Sequence, residues 1–251
     1  MPLSQATPGY IQLLLRGLLA GLFAGLLAGG FAYLAGEPHV EAAIAIEEAA
    51  TPAAQTAGEP LVDRDIQRAV GLPLATALIG LALGGILATA YTLLRRHLRT
   101  GSDTHAALGL AAAGYLGIVA IPFLKYPPNP PAVGDPDTIN QRTAGYLAAV
   151  ALGLVAVWAG TLATRTQTHQ WRRAAAGTAG FLVVVTIAYT LLPAFHEVPD
   201  DFPATLLWDF RISSLGTQTV LWTVLGITFA ALLNRLATRT GTPQTATVTT
   251  A

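Results

Sequence analysis

Residues 17–36 read GLLAGLFAGLLAGGFAYLAG, with glycine at 17, 21, 25 and 29 and alanine at 20, 24, 28 and 32. On a helix, a spacing of four gathers these eight small residues into one face, opposite leucine and phenylalanine. Such a face lets a second backbone come close. In lipid, where apolar association brings little gain, close van der Waals packing along small-xxx-small ridges is a main driving force. The stretch is therefore expected to be a transmembrane helix whose Gly17, Gly21, Gly25 and Gly29 pack against another helix, of this chain or of a second protein. Its length fits one crossing, which takes about 20 apolar residues. Fifteen residues precede Arg16, and the run exceeds the roughly 7–15 apolar residues of a secretory signal. It is read as a retained helix.

The rest of the chain is as apolar. Of 251 residues 53% are hydrophobic and 11% charged, and the mean hydropathy is +0.52, well outside the range of an ordinary water-soluble domain. Charged and histidine residues divide the sequence into six windows, 17–36, 69–94, 106–124, 143–164, 174–195 and 212–234. The expected fold class is an all-α integral membrane protein with six transmembrane helices in three consecutive helical hairpins. The expected organisation is an N-terminal tail at 1–12, a transmembrane domain at 13–236 with connecting loops at 37–68, 125–142 and 196–211, and a flexible C-terminal tail at 237–251. Cysteine is absent, which excludes a disulfide framework, a thiolate metal site and a cysteine nucleophile.

Six crossings put both termini on one side. Nine of the fourteen basic residues fall on that side and five, Arg64, Arg68, Lys125, Arg142 and Arg211, on the other. Basic residues in short loops are retained in the cytoplasm, so the expected topology is N-in/C-in in the cytoplasmic membrane. Thirteen of the fourteen acids, all but Asp103, lie in the three outer loops. Net neutrality thus conceals a positive inner face and a negative outer one, and the latter would concentrate external cations without any specific site.

The outer loops lead into successive helices through DRDIQRAVG, DPDTINQRTAG and LWDFRISSLG, with Arg68, Arg142 and Arg211 spaced 74 and 69 residues apart. This weak threefold pattern matches the internal repeats of many transporters. Thr138 and Gln141 have capping-box spacing, and Asp63, Asp65 and Asp209 can serve helix-start amides or the helix dipole.

Two outer segments join histidine to acids. GEPHVEAAIAIEEAA carries Glu37, His39, Glu41 and Glu48, the last two sharing a face if residues 40–50 are helical; AFHEVPDDF carries His196, Glu197, Asp200 and Asp201. Imidazole with carboxylate suits borderline divalent ions such as cobalt, nickel or zinc, and these eight residues are the candidate metal ligands. Within the six windows there is no Asp, Glu or Lys, no histidine, and Arg211 stands at the edge of the sixth. There Ser214 and Gln218 follow it, and Arg211, Ser214 and Gln218 are the candidates for a hydrated path. Tyr33, Tyr91, Tyr126, Trp171 and Trp208 fit interfacial belts, whereas Trp222 lies too deep for one.

The middle outer loop, PFLKYPPNPPAVGDPDTI (122–139), resembles the signature of the predicted cobalt transporter subunit family CbtA, as do GEPHVEAAIAIEEA and FRISSLGTQTVLW. The resemblance runs along nearly the whole chain. It implies a cytoplasmic-membrane protein of bacteria or archaea that admits Co2+ for cobalamin synthesis, with a small single-helix partner, CbtB. It implies five crossings where this sequence reads as six, and it brings no ligand set. Prolines at 127, 128, 130 and 131 should make an extended strap.

The expected function is a permease component for divalent transition-metal uptake. It is not expected to be an enzyme: there is no G-x-x-x-x-G-K-[ST] or H-E-x-x-H motif and no converging nucleophile and base. No tightly bound cofactor and no nucleic-acid partner is expected; membrane lipid and a divalent cation are. The alternative is a non-transporting scaffold that holds a metal-handling partner through the glycine-rich first helix.

Overall fold

The computed structural model describes residues 9–50, 62–98 and 101–240. The expected tails at 1–12 and 237–251, and the middle of the segment 37–68, lie wholly or partly outside these residues. The described residues are helical, without strands, and six helices are long and apolar enough to cross a membrane. They are α1 (Tyr10–Ala50), α2 (Arg64–His97), α3 (Asp103–Lys125), α4 (Pro136–Thr164), α5 (Gln170–Leu191) and α6 (Ala204–Thr240). The first helix does not stop at Gly36: the residues after the glycine stripe, Glu37–Ala50, continue it.

Three of the helices contain a π-helical turn, at Ala32–Gly36, Gln67–Gly71 and Tyr115–Ala120. Each ends two residues before a proline, Pro38, Pro73 or Pro122. A proline inside a helix has no N–H to donate, and its ring collides with the carbonyl four residues earlier. Those carbonyls belong to Leu34, Ala69 and Ile118, all within the wide turns. The π-turn gives the ring room, so the helix passes the proline instead of ending there.

Large apolar side chains such as Leu19, Phe23, Leu78, Ile86 and Trp158 face outward, as they must in lipid. The interior is built largely from small residues. Gly17, Gly21 and Gly25 lie against the backbone of α2, and Gly29 lies against Thr76. The contact is reciprocal: a β-carbon at Gly80 would stand 2.7 Å from Gly25 Cα, and one at Gly84 2.9 Å from Gly21 Cα. The partner of the glycine stripe is thus α2 of the same chain, and the surface that a scaffold would offer to another protein is already filled. Gly117 of α3 meets Gly153 of α4 in the same way. Around these contacts Leu13, Tyr91, Leu225 and Phe229 form the buried core, with the Tyr91 and Phe229 rings edge to face at 5.6 Å. Tyr91 therefore belongs to the core rather than to an interfacial belt.

Helix α1 packs on α2 and α6, α6 on α3, α3 on α4, and α4 on α5. Three packed hairpins were expected. The first two helix pairs touch, but α5 makes extended contact with α4 alone while α6 inserts between α1 and α3. The reason is visible in burial: in the most apolar window of α5 only 6% of residues are buried, against 33% in α6. Helix α5 has no small-residue face turned to α6, whereas Gly216 and Gly226 of α6 receive Phe31 of α1 and Ala111 of α3.

Gly21→Ala should lower the thermal stability of the purified protein by about 1–3 kcal/mol, because the added methyl meets a carbonyl it cannot displace. Gly30→Ala, where an added β-carbon would meet nothing within 4 Å, should leave stability unchanged or raise it by up to about 1 kcal/mol. Melting curves of the two variants check both.

Candidate functional site

The acids that follow the glycine stripe meet the start of α2. Glu37 and Glu41 lie one turn apart on α1, and Arg64 and Arg68 one turn apart on α2. Arg64 Nη2 donates to Glu37 Oε2 at 2.5 Å, and Arg68 Nη1 pairs with Glu41. Arg68 also lies over the Tyr33 ring, 4.8 Å from its centroid. Two successive ion-pair rungs therefore hold the extension of α1 against α2. Asp63 caps α2 by accepting from the Asp65 amide at 2.9 Å.

A second clasp joins the two remaining loops of this end. Glu197 accepts from Arg142 Nη1 at 3.0 Å, from Thr138 Oγ1 at 2.5 Å and from the Asp135 amide at 3.2 Å. The capping box expected from Thr138 and Gln141 does not form: Thr138 gives its hydroxyl to the Asp135 carbonyl and to Glu197, and Asp135 caps the turn by accepting from Asp137 N. Tyr126 donates to the Pro193 carbonyl at 2.7 Å and packs on Phe195, their ring centroids 5.5 Å apart. Burial pushes the Tyr126 phenol up from its ordinary pKa. The strap 127–130 is not helical, as its prolines require, and the chain then turns through Ala132 at φ 66° and Gly134 at φ 133°. Arg211 of α6 holds the strap, donating from Nη2 to Asn129 Oδ1 at 2.8 Å and from Nε to the Pro128 carbonyl at 3.3 Å.

Beneath these loops, between α2, α3, α4 and α6, lies a cavity of about 900 Å³. Ile79, Leu83, Ile118 and Leu215 contribute apolar wall; Lys125, Arg142, Arg211 and Glu197 are its charged residues. Arg211, Ser214 and Gln218, the candidates for a hydrated path, all line it. Trp222, 5% exposed, is shared between this cavity and a smaller one of about 230 Å³ bounded by Tyr115 and Thr219 of α3 and α6. Its indole N–H is buried with no acceptor among the described residues.

The candidate metal ligands are not gathered here. Among the described residues no three His, Asp or Glu side chains come together as a metal site. Glu37, Glu41 and Glu197 are bound to arginines, while Glu48, His196, Asp200 and Asp201 stand exposed and His39 is half-buried. Three bases against one acid make the cavity positive. A divalent cation about 4 Å from one uncompensated base would meet a repulsion on the order of 8 kcal/mol at an effective dielectric near 20.

A family model described as "Probable cobalt transporter subunit (CbtA)" matches residues 10–234. The chain belongs to the CbtA family. No curated protein and no solved structure matches it significantly. This CbtA protein is a multi-pass membrane protein with six spanning helices, where the resemblance implied five. The match covers all the helices and loops around the cavity. Lys125, Tyr126 and Asn129 were not singled out as site residues from sequence. The usable signal was that Lys125 is the single lysine of the chain and sits directly before the proline strap.

The Glu197–Arg142 pair and the Glu41–Arg68 rung should differ in strength. The Glu197 side chain is 10% exposed and the Glu41 side chain 46%. A double-mutant cycle on Glu197→Gln and Arg142→Gln should give a coupling of about 2–3 kcal/mol, and one on Glu41→Gln and Arg68→Gln about 0–1 kcal/mol. Thermal melts of the four single and two double variants measure both.

Proposed function

We propose that this chain is the membrane-embedded component of an uptake system that admits Co2+ across the cytoplasmic membrane for cobalamin synthesis, and that it is not an enzyme. The observation that carries this reading is the CbtA match over nearly the whole chain, on a protein with six spanning helices. Supporting the orientation, nine basic residues cluster at the end that holds the termini, so the acidic end faces outward and raises the local concentration of external cations. Of the eight candidate ligands, His39, Glu48, His196, Asp200 and Asp201 have no ion pair among the described residues, and they are the proposed first contacts for the ion. Glu37, Glu41 and Glu197 would first have to exchange an arginine. The cavity with Arg211, Ser214 and Gln218 is the proposed way into the bundle, and a small single-helix partner, CbtB, is proposed as the other component. The word "subunit" in the family description supports a partner.

Deleting the gene should reduce labelled-cobalt accumulation at limiting external cobalt, and the wild-type chain supplied with its partner should restore it. The double variant His39→Ala with His196→Ala should restore it less well than any single Asp or Glu replacement on the same face. Accumulation by the double variant equal to wild type would remove both histidines as ligands. Since the chain has no cysteine, topology is open to single-cysteine labelling. Asp200→Cys should react with an impermeant maleimide in intact cells, and Gln167→Cys only after the membrane is opened.

A further inference from the structure

The acid-rich end holds five basic residues, and the structure divides them sharply. Arg64, Arg68 and Arg142 each have a carboxylate partner. Lys125 and Arg211 have none among the described residues. Lys125 gives one hydrogen bond, to the Tyr189 carbonyl at 3.1 Å, and its Nζ stands 5.9 and 6.0 Å from the ring centroids of Tyr126 and Tyr189. Arg211 gives Nη2 and Nε to neutral oxygens of the strap, and among the described residues no bond uses Nη1. Both residues are half-buried, and both line the one cavity of about 900 Å³. The single carboxylate on that wall, Glu197, already accepts from Arg142, Thr138 and the Asp135 amide.

Half-buried cations without a counter-charge are costly, and they ordinarily pair or face water. Here two such cations line one space large enough for a ligand, with surplus donors and no uncommitted carboxylate on its wall. We infer that the cavity is an oxyanion site: a phosphate group is held between Lys125 and Arg211, the guanidinium offering Nη1 as a charge-assisted donor and the ammonium acting as a point charge. Asn129 and the Pro128 carbonyl keep the Arg211 plane fixed for this. The apolar wall of Ile79, Leu83, Ile118 and Leu215 lies in the same cavity, so the group can come as free phosphate or as the headgroup of an anionic phospholipid with its chains against that wall. An anion there would neutralise the repulsion that these bases present to a divalent ion. The site itself stands on the geometry of the two bases and not on cobalt, so binding and uptake are separable.

The test uses the purified full-length chain in nanodiscs and follows thermal unfolding. In one arm the lipid is phosphatidylcholine and inorganic phosphate is added against chloride at constant ionic strength; in the other, phosphatidylglycerol replaces part of the phosphatidylcholine with no phosphate. A probe at about 100 times its dissociation constant should raise the midpoint by on the order of 5 °C. The rise should fall by at least half in Lys125→Gln and in Arg211→Gln, and persist in Arg211→Lys and in Arg172→Gln, which removes a base at the opposite end. Should Arg211→Gln not fold, Lys125→Gln decides, since it sacrifices one hydrogen bond only. A response in the first arm alone identifies a free oxyanion, in the second alone a lipid headgroup, and in both the shared phosphate chemistry. No rise in either arm, or a rise undiminished in Lys125→Gln, overturns the site. Cobalt accumulation plays no part in the readout, so failure of the uptake reading leaves this result intact, and the reverse.

Discussion

Contact between the backbones of α1 and α2 along Gly17, Gly21, Gly25, Gly80 and Gly84 is the constraint on which the rest of the molecule depends. Lipid tails are as apolar as leucine, so a leucine-rich helix has no reason to leave them for another helix of the same kind. Small residues supply the reason by letting whole backbones touch. Once α1 and α2 are fixed in register, Glu37 and Glu41 fall opposite Arg64 and Arg68, and the extension of α1 beyond its apolar stretch is held. Its residues Ala43 and Ile46 then pack with Val133 of the strap and Phe202 before α6. The glycine contact in mid-membrane thereby sets the height of the roof over the cavity.

Much of this was legible in the sequence for a physical reason: crossing a bilayer requires a run of apolar residues, and the runs are unmistakable. The glycine period announced a close helix contact, and the proline strap announced an extended loop. What could not be read was which helices become neighbours. The similar helix entries at Arg68, Arg142 and Arg211, spaced 74 and 69 residues apart, invited a succession of hairpins, yet α6 leaves α5 for the small faces of α1 and α3. Prolines 38, 73 and 122 posed another limit. A proline at a helix end and a proline absorbed by a π-turn look alike in one sequence, and only the carbonyls of Leu34, Ala69 and Ile118 distinguish them.

The candidate site was legible as a set of chemical types and not as a set of partnerships. Glu37, Glu41 and Glu197 were read as ligands because carboxylates beside histidines suit a divalent ion. Each instead meets an arginine 27 residues later or 55 residues earlier in the chain, a pairing that no local motif encodes. Arg211, Ser214 and Gln218 line one cavity, since spacings of three and four place them on one helix face. Their common wall with Lys125 and Asn129 depends on the strap reaching across to α6, which is a tertiary fact. The same fact reverses the electrostatic expectation: the acid-rich end is negative as a whole, while the hollow inside it is positive.

The bonds that close this hollow run backward along the chain. Tyr189 reaches the Ile121 carbonyl, Glu197 reaches Arg142, and Arg211 reaches Asn129. Each joins a late segment to one made some 55 to 82 residues before it. A ribosome-bound chain that has emerged only through α4 already possesses the glycine-packed pair but has no chamber, because its strap has nothing to lean on. The chamber comes into being when the last helix slots between the first and the third, so a truncated protein can insert in the membrane and still present no open hollow to it.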